Sequence, residues 1–137
     1  MKLSQEKYTE LVAAARAARG GSYSPFSHFA VGAALLTEDG KIYAGANVEN
    51  SSYSATVCAE RVAIHYAVAS GDRSFLAIAI VGGAADEELP EECLPCAVCL
   101  QVMAEFCEGD FEIITSDRGG EIRVHTLEEL LPRRFRL

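Results

Sequence analysis

Hydrophobic and polar positions divide this chain into alternating helical and extended stretches. Leu3 to Arg19 reads as an opening helix with Ser4 as N-cap, a Leu3–Tyr8 staple and Gly20-Gly21 as its stop. Phe29 to Leu36 is β-like, although its run of small apolar residues alternates poorly. Asp39-Gly40 supplies a hairpin turn, and Lys41 to Val48 returns as a second strand. The polar residues from Glu49 to Ala55 predict a loop. A helix follows from Ala59 to about Ala69, closed by Ser70-Gly71. Phe75 to Val81 is a short, unbroken apolar run, the pattern of a strand covered on both faces.

The acidic stretch Asp86 to Glu92 predicts a solvated loop, and Pro95 leads into a helix from Cys96 to about Phe106. Phe111 to Thr115 and Glu121 to His125 read as strands joined through Gly119-Gly120. Thr126-Leu127-Glu128-Glu129 is a capping box that opens a short helix ending at Pro132. The order α-β-β-α-β-α-β-β-α contains two β-α-β crossovers, so helices pack on a shared, mixed sheet. No repeat, linker or low-complexity stretch interrupts it, and residues 1–137 read as a single domain.

Both crossover helices begin at cysteines. Cys58-Ala59-Glu60 opens one, and Pro95-Cys96-Ala97-Val98-Cys99 opens the other. Cys96 and Cys99, three apart at a helix start, share a face and can bind one ion with Cys58. Three thiolates hold Zn²⁺ and leave its fourth tetrahedral position open to water. The partial positive charge at each helix N-terminus favours thiolate over thiol. Glu60 is not needed as a ligand and can approach the open position as general base and then general acid. Three thiolates around Zn²⁺ leave one excess negative charge, and Arg61 is the natural counterweight through hydrogen bonds to ligand sulfur.

Half of the residues are hydrophobic and the net charge is −8, so a packed core is expected and polyanion binding is disfavoured. The N-terminal residues lack the apolar core of a signal peptide, and the longest apolar run is too short to span a bilayer. A cytoplasmic location is expected, with no membrane and no nucleic-acid partner. There the five cysteines are thiols or metal ligands rather than disulfides. Cys93 and Cys107 fall out of register with the other ligands. Taken residue by residue, rival readings remain: buried core thiols, a structural zinc closed by Cys93 as fourth ligand, or a thiol redox pair at Cys96 and Cys99.

The chain also resembles the small, homotetrameric, zinc-dependent cytidine deaminases. The resemblance runs from Ser24-Pro25-Phe26-Ser27-His28-Phe29-Ala30-Val31-Gly32 to Glu129-Leu130-Leu131-Pro132. It is carried by Gly45-Ala46-Asn47-Val48-Glu49-Asn50, Cys58-Ala59-Glu60-Arg61, and Pro95-Cys96 through Cys99 with Gln101. It implies a three-layer α-β-α fold with a mixed five-stranded sheet. It also implies deamination of cytidine and 2′-deoxycytidine in pyrimidine salvage, with one Zn²⁺ per subunit on Cys58, Cys96 and Cys99. By the same resemblance Asn47 and Glu49 bind the ribose, Phe29 packs on the pyrimidine, and the Ala59 N–H contacts the base carbonyl. Glu60 protonates N3 and the departing ammonia. Phe135 matches, as a single residue, an aromatic that reaches a neighbouring subunit's pocket, with simple packing of the tail as its alternative. Leu94, Ala97 and Leu100 depart from the family's usual Ser, Gly and Arg. A deaminase of a modified nucleoside such as blasticidin S, or a non-catalytic zinc-binding module, is the alternative.

Overall fold

The structure is a computed structural model that describes residues 2–87 and 92–137. Its elements follow the predicted order: α1 (Gln5–Ala18), β1 (Phe29–Thr37), β2 (Ile42–Ala46), α2 (Ala59–Ala69), β3 (Phe75–Ala84), α3 (Ala97–Phe106), β4 (Glu112–Ser116), β5 (Ile122–Thr126) and α4 (Leu127–Leu130). The five strands form one sheet in the order β2-β1-β3-β4-β5. β1 runs antiparallel to β2 and β3, β3 and β4 are parallel, and β5 returns antiparallel to β4.

The poor alternation of β1 and β3 has a simple cause: both strands are covered on both sides. Ala33, Leu35, Ile78 and Ile80 pack with Ala63, Ile64 and Met103 of α2 and α3. Ala34, Leu36, Ala77 and Ala79 pack with Tyr8, Leu11 and Ala15 of α1 on the opposite face. The result is the expected three-layer α-β-α arrangement. Each Leu or Ile so buried stabilises the fold by about 1.5–3 kcal/mol. Ser4 caps α1 by accepting from Lys7 N at 3.1 Å, and Thr126 caps α4 through Glu129 N at 3.3 Å.

Because β2, β3 and β4 point the same way, the two crossover helices begin at the same edge of the sheet. β1 starts at that edge too, with Phe29 opposite Ala84. The approach of α2 to the sheet depends on Gly45, where an added Cβ would lie 2.6 Å from Ala59 O and 2.7 Å from Ala63 N. Glycine at this position therefore sets the height of the helix that carries Cys58 and Glu60.

Some boundaries move. β3 continues through Gly82 and Gly83 to Ala84, because backbone pairing with β1 persists after the apolar run ends. β2 stops at Ala46, and Val48 instead bridges Tyr23 and Val57. α1 gives way to a 3-10 turn at Arg19–Gly21, and another 3-10 turn, Tyr53–Ala55, lies in the polar loop. Of the acidic stretch expected as a loop, residues 88–91 lie outside the described residues.

Candidate active site

A cavity of about 280 Å³ opens at the edge where α2 and α3 begin. Cys58, Ala59, Glu60 and Cys96 form one side of its lining, and Phe29, Asn47 and Glu49 contribute from β1 and the segment after β2. Cys58 is the N-cap of α2 and Cys96 the N-cap of α3, so both sulfurs sit among N–H groups that lack helical acceptors.

Cys96 Sγ lies 4.0 Å from Cys58 Sγ and 3.5 Å from Cys99 Sγ. The three sulfurs all fall within 4.8 Å of one another. Zn–S bonds of about 2.3 Å in a tetrahedron require sulfur separations of about 3.8 Å, so the cluster fits one zinc ion with little movement. Cys93 lines the same cavity, but its sulfur is not part of this close group. That separation favours an open metal position over a closed four-cysteine site.

Charge in the cluster is already uneven. The Cys58 thiol is drawn below its ordinary range by a hydrogen bond from the Cys99 thiol, and further by Arg61. Arg61 Nη2 donates to Cys58 Sγ at 3.4 Å. Cys99 is driven the opposite way by its bond to Cys58, by burial and by nearby negative charge. Three crowded sulfurs do not all ionise without a cation between them. Arg61 Nε is buried with no hydrogen-bond partner among the described residues, so the guanidinium is committed to this corner. Arg61→Gln is expected to lower turnover more than zinc content; kinetics and metal analysis on one sample check it.

Glu60 is buried, and burial pushes its carboxyl up to about 7. A group poised there both takes and gives a proton near neutral pH.

The other two polar residues are braced in complementary ways. Asn47 Oδ1 accepts from Val31 N at 2.9 Å and Ser22 Oγ at 2.6 Å, while Nδ2 donates to Phe29 O at 2.8 Å. Both lone pairs of the oxygen are used, leaving one amide hydrogen for a ligand. Glu49 accepts from Phe26 N at 2.9 Å, Ser27 N at 3.2 Å and Ser27 Oγ at 2.5 Å. The Ser27 hydroxyl, aided by those N–H groups and by His28, holds the Glu49 carboxyl below the usual range. It remains ionised and keeps acceptor capacity. One spare donor beside one spare acceptor matches a sugar hydroxyl, which is both.

Phe29 is 41% exposed despite opening a central strand, which places its ring in the cavity rather than in the core. The preceding residue, His28, has φ 57°, an uncommon value for histidine and one that costs backbone energy. Its N–H donates to Ser24 O and its carbonyl accepts from Ala85 N, so the turn is held from both sides. Ser27, Cys93 and Leu94 also line the site. From sequence alone Ser27 has no role of its own, Cys93 stands only as a rival fourth ligand, and Leu94 only as a departure from the family pattern. His65 is exposed on α2 and Cys107 is buried beside α3, both apart from the cavity lining.

Residues 5–115 match the family described as the cytidine and deoxycytidylate deaminase zinc-binding region. A cytidine deaminase of Sporosarcina psychrophila is 49% identical over 126 residues, covering 92% of this chain and 89% of that protein. The crystal structure of cytidine deaminase from Burkholderia pseudomallei superposes with a TM-score of 0.85 at 41% identity, covering 97% of this chain and 100% of that one. A blasticidin-S deaminase of Bacillus cereus is 31% identical over 108 residues, covering 77% of this chain and 76% of that protein.

Proposed function

We infer that this chain, which belongs to the cytidine and deoxycytidylate deaminase zinc-binding family, hydrolyses the 4-amino group of cytidine and 2′-deoxycytidine. The products are uridine or 2′-deoxyuridine and ammonia. Cys58, Cys96 and Cys99 hold the zinc ion, which when bound supplies an acidified water as nucleophile. Glu60 removes a proton from the attacking water, delivers it to N3 of the base, and then assists departure of the amine. Phe29 packs on the pyrimidine, and the Ala59 N–H, free of an intrahelical acceptor at the start of α2, donates to the base carbonyl. Asn47 and Glu49 orient the ribose with their remaining donor and acceptor.

The observation that carries this reading is a single cavity joining a buried carboxyl, a three-sulfur corner and a braced donor–acceptor pair. A closed structural zinc would have no use for that pair. A redox pair at Cys96 and Cys99 would have no use for Glu60.

Residues 1–137 act as one domain in this proposal, and the enzyme works as a homotetramer in the cytoplasm, in pyrimidine salvage. Exposed Phe26, Val48, Tyr53, Val98 and Phe135 supply apolar surface for subunit contacts. Gln101 Nε2 donates to Phe135 O at 2.9 Å, which fixes the tail while leaving the ring exposed for a neighbouring subunit. Among the described residues no helix is long and apolar enough to cross a membrane. The net charge of −8 disfavours a polynucleotide substrate.

The test is an ultraviolet assay on cytidine, 2′-deoxycytidine and blasticidin S, with zinc measured in the same sample. Cytidine and 2′-deoxycytidine are expected to be turned over, and Glu49→Ala to raise KM for both by about tenfold or more. Preference for blasticidin S would overturn the substrate assignment; zinc without turnover of any of the three would overturn catalysis.

A further inference from the structure

Cys93 and Leu94, within the segment 92–95, wall the cavity, yet neither the metal cluster nor the sugar-binding pair explains how that segment is held. Cys93 and Leu94 line the cavity, and the metal ligand Cys96 follows Pro95. Cys93 is seated over Gly82 of β3, where an added Cβ would lie 2.8 Å from its sulfur. The other hold comes from β5 at the far edge of the sheet. Glu92 Oε1 accepts from His125 Nε2 at 3.0 Å, and Glu92 Oε2 lies 3.3 Å from Arg123 Nη1.

The two β5 groups are themselves placed. Arg123 Nη2 lies 3.2 Å from Asp117 Oδ2, and His125 Nε2 is 3.4 Å from Thr115 Oγ1. The Glu92 and His125 side chains are each 21% exposed, so solvent screens their contact less than it screens an isolated surface pair, while Arg123 is half-exposed and its ion pair is the weaker hold. A segment tied at Glu92 and again at Cys96 has only Cys93, Leu94 and Pro95 between its anchors. Releasing one anchor frees the wall without touching the catalytic carboxyl.

We propose that His125 and Arg123 are positioning residues for the nucleoside pocket, acting through Glu92 to seat Cys93 over Gly82 and Leu94 at the cavity wall. The proposal rests on the nucleoside reading given above. The wall contacts bound substrate rather than the reacting proton, so its displacement weakens binding more than the chemical step.

The test uses zinc-loaded enzyme carrying Glu92→Gln, and separately His125→Gln with Arg123→Gln. Both are expected to raise KM for cytidine about fivefold with kcat changed by less than about twofold. Alkylation of Cys93 by iodoacetamide, followed by peptide mass spectrometry, is expected to accelerate by about the same factor while bound zinc protects Cys58, Cys96 and Cys99. The charge-reversed pair Glu92→Arg with Arg123→Glu is expected to recover part of the lost affinity. Unchanged KM with unchanged alkylation overturns the proposal, as does a fall in kcat alone. Should the parent enzyme prove inactive on cytidine, the nucleoside reading fails, and the alkylation rate alone then decides whether β5 holds this wall.

Discussion

Glu60→Gln is expected to slow cytidine turnover by on the order of 10⁴-fold while leaving one zinc ion per chain. The substitution keeps the shape of the side chain and removes its capacity to carry a proton. Glu60 is only 4% exposed, so bulk water has poor access to replace it at the same place. In the proposed mechanism one carboxyl serves two transfers, first accepting from water and then donating to the base, and the variant would forfeit both. Metal retention follows from the cluster, in which the three sulfurs have the spacing for an ion without help from the carboxylate. Steady-state kinetics and metal analysis on one preparation check the pair of outcomes. Zinc lost together with activity would make Glu60 a ligand; turnover within tenfold of the parent would remove it from the proton path.

The same two outcomes bear on what the chain reveals before folding. The metal corner is legible because its determinants are short-range: Cys58 with Glu60, and Cys96 with Cys99, each sit within one helical turn. Only the meeting of the two turns needs the fold, and the β-α-β order implies it. Asn47 and Glu49 are different. Read locally they form an ordinary polar turn, and family resemblance alone lifts them. The structure shows that Ser22, Phe26, Ser27, Phe29 and Val31 occupy most of their hydrogen-bonding capacity. Those partners arrive from an earlier loop and strand, a convergence no local pattern records. The wall formed by Cys93 and Leu94 is less legible still, because it depends on a glycine in β3 and two side chains on β5.

The strand boundaries carry a related lesson. Gly82 and Gly83 end an apolar run, which reads as the end of a strand, yet pairing with β1 continues through both. Backbone hydrogen bonding is indifferent to the missing side chains, whereas the space above Gly82 is what admits Cys93. A residue that weakens the hydrophobic signal therefore completes the site.

Cys99→Ser is expected to abolish both zinc binding and turnover, and to lower the melting temperature of the holoenzyme by about 10 °C. Cys99 is fully buried, and without a cation its thiol stays protonated because Cys58, Glu60 and burial all oppose a second negative charge. A zinc ion held by the three cysteines would offset that opposition, so its binding would release protons and couple to folding stability. A serine hydroxyl in the same place is a poorer ligand for this ion and offers no thiolate. Chelation of the parent enzyme should therefore reproduce the melting temperature of the variant, and adding zinc back should rescue the parent alone. Cys93→Ser provides the contrast: its sulfur stands outside the close group, so zinc content is expected to stay at one ion per chain. Loss of the ion from Cys93→Ser, or its retention in Cys99→Ser, would reassign the ligands and close the position on which hydrolysis depends.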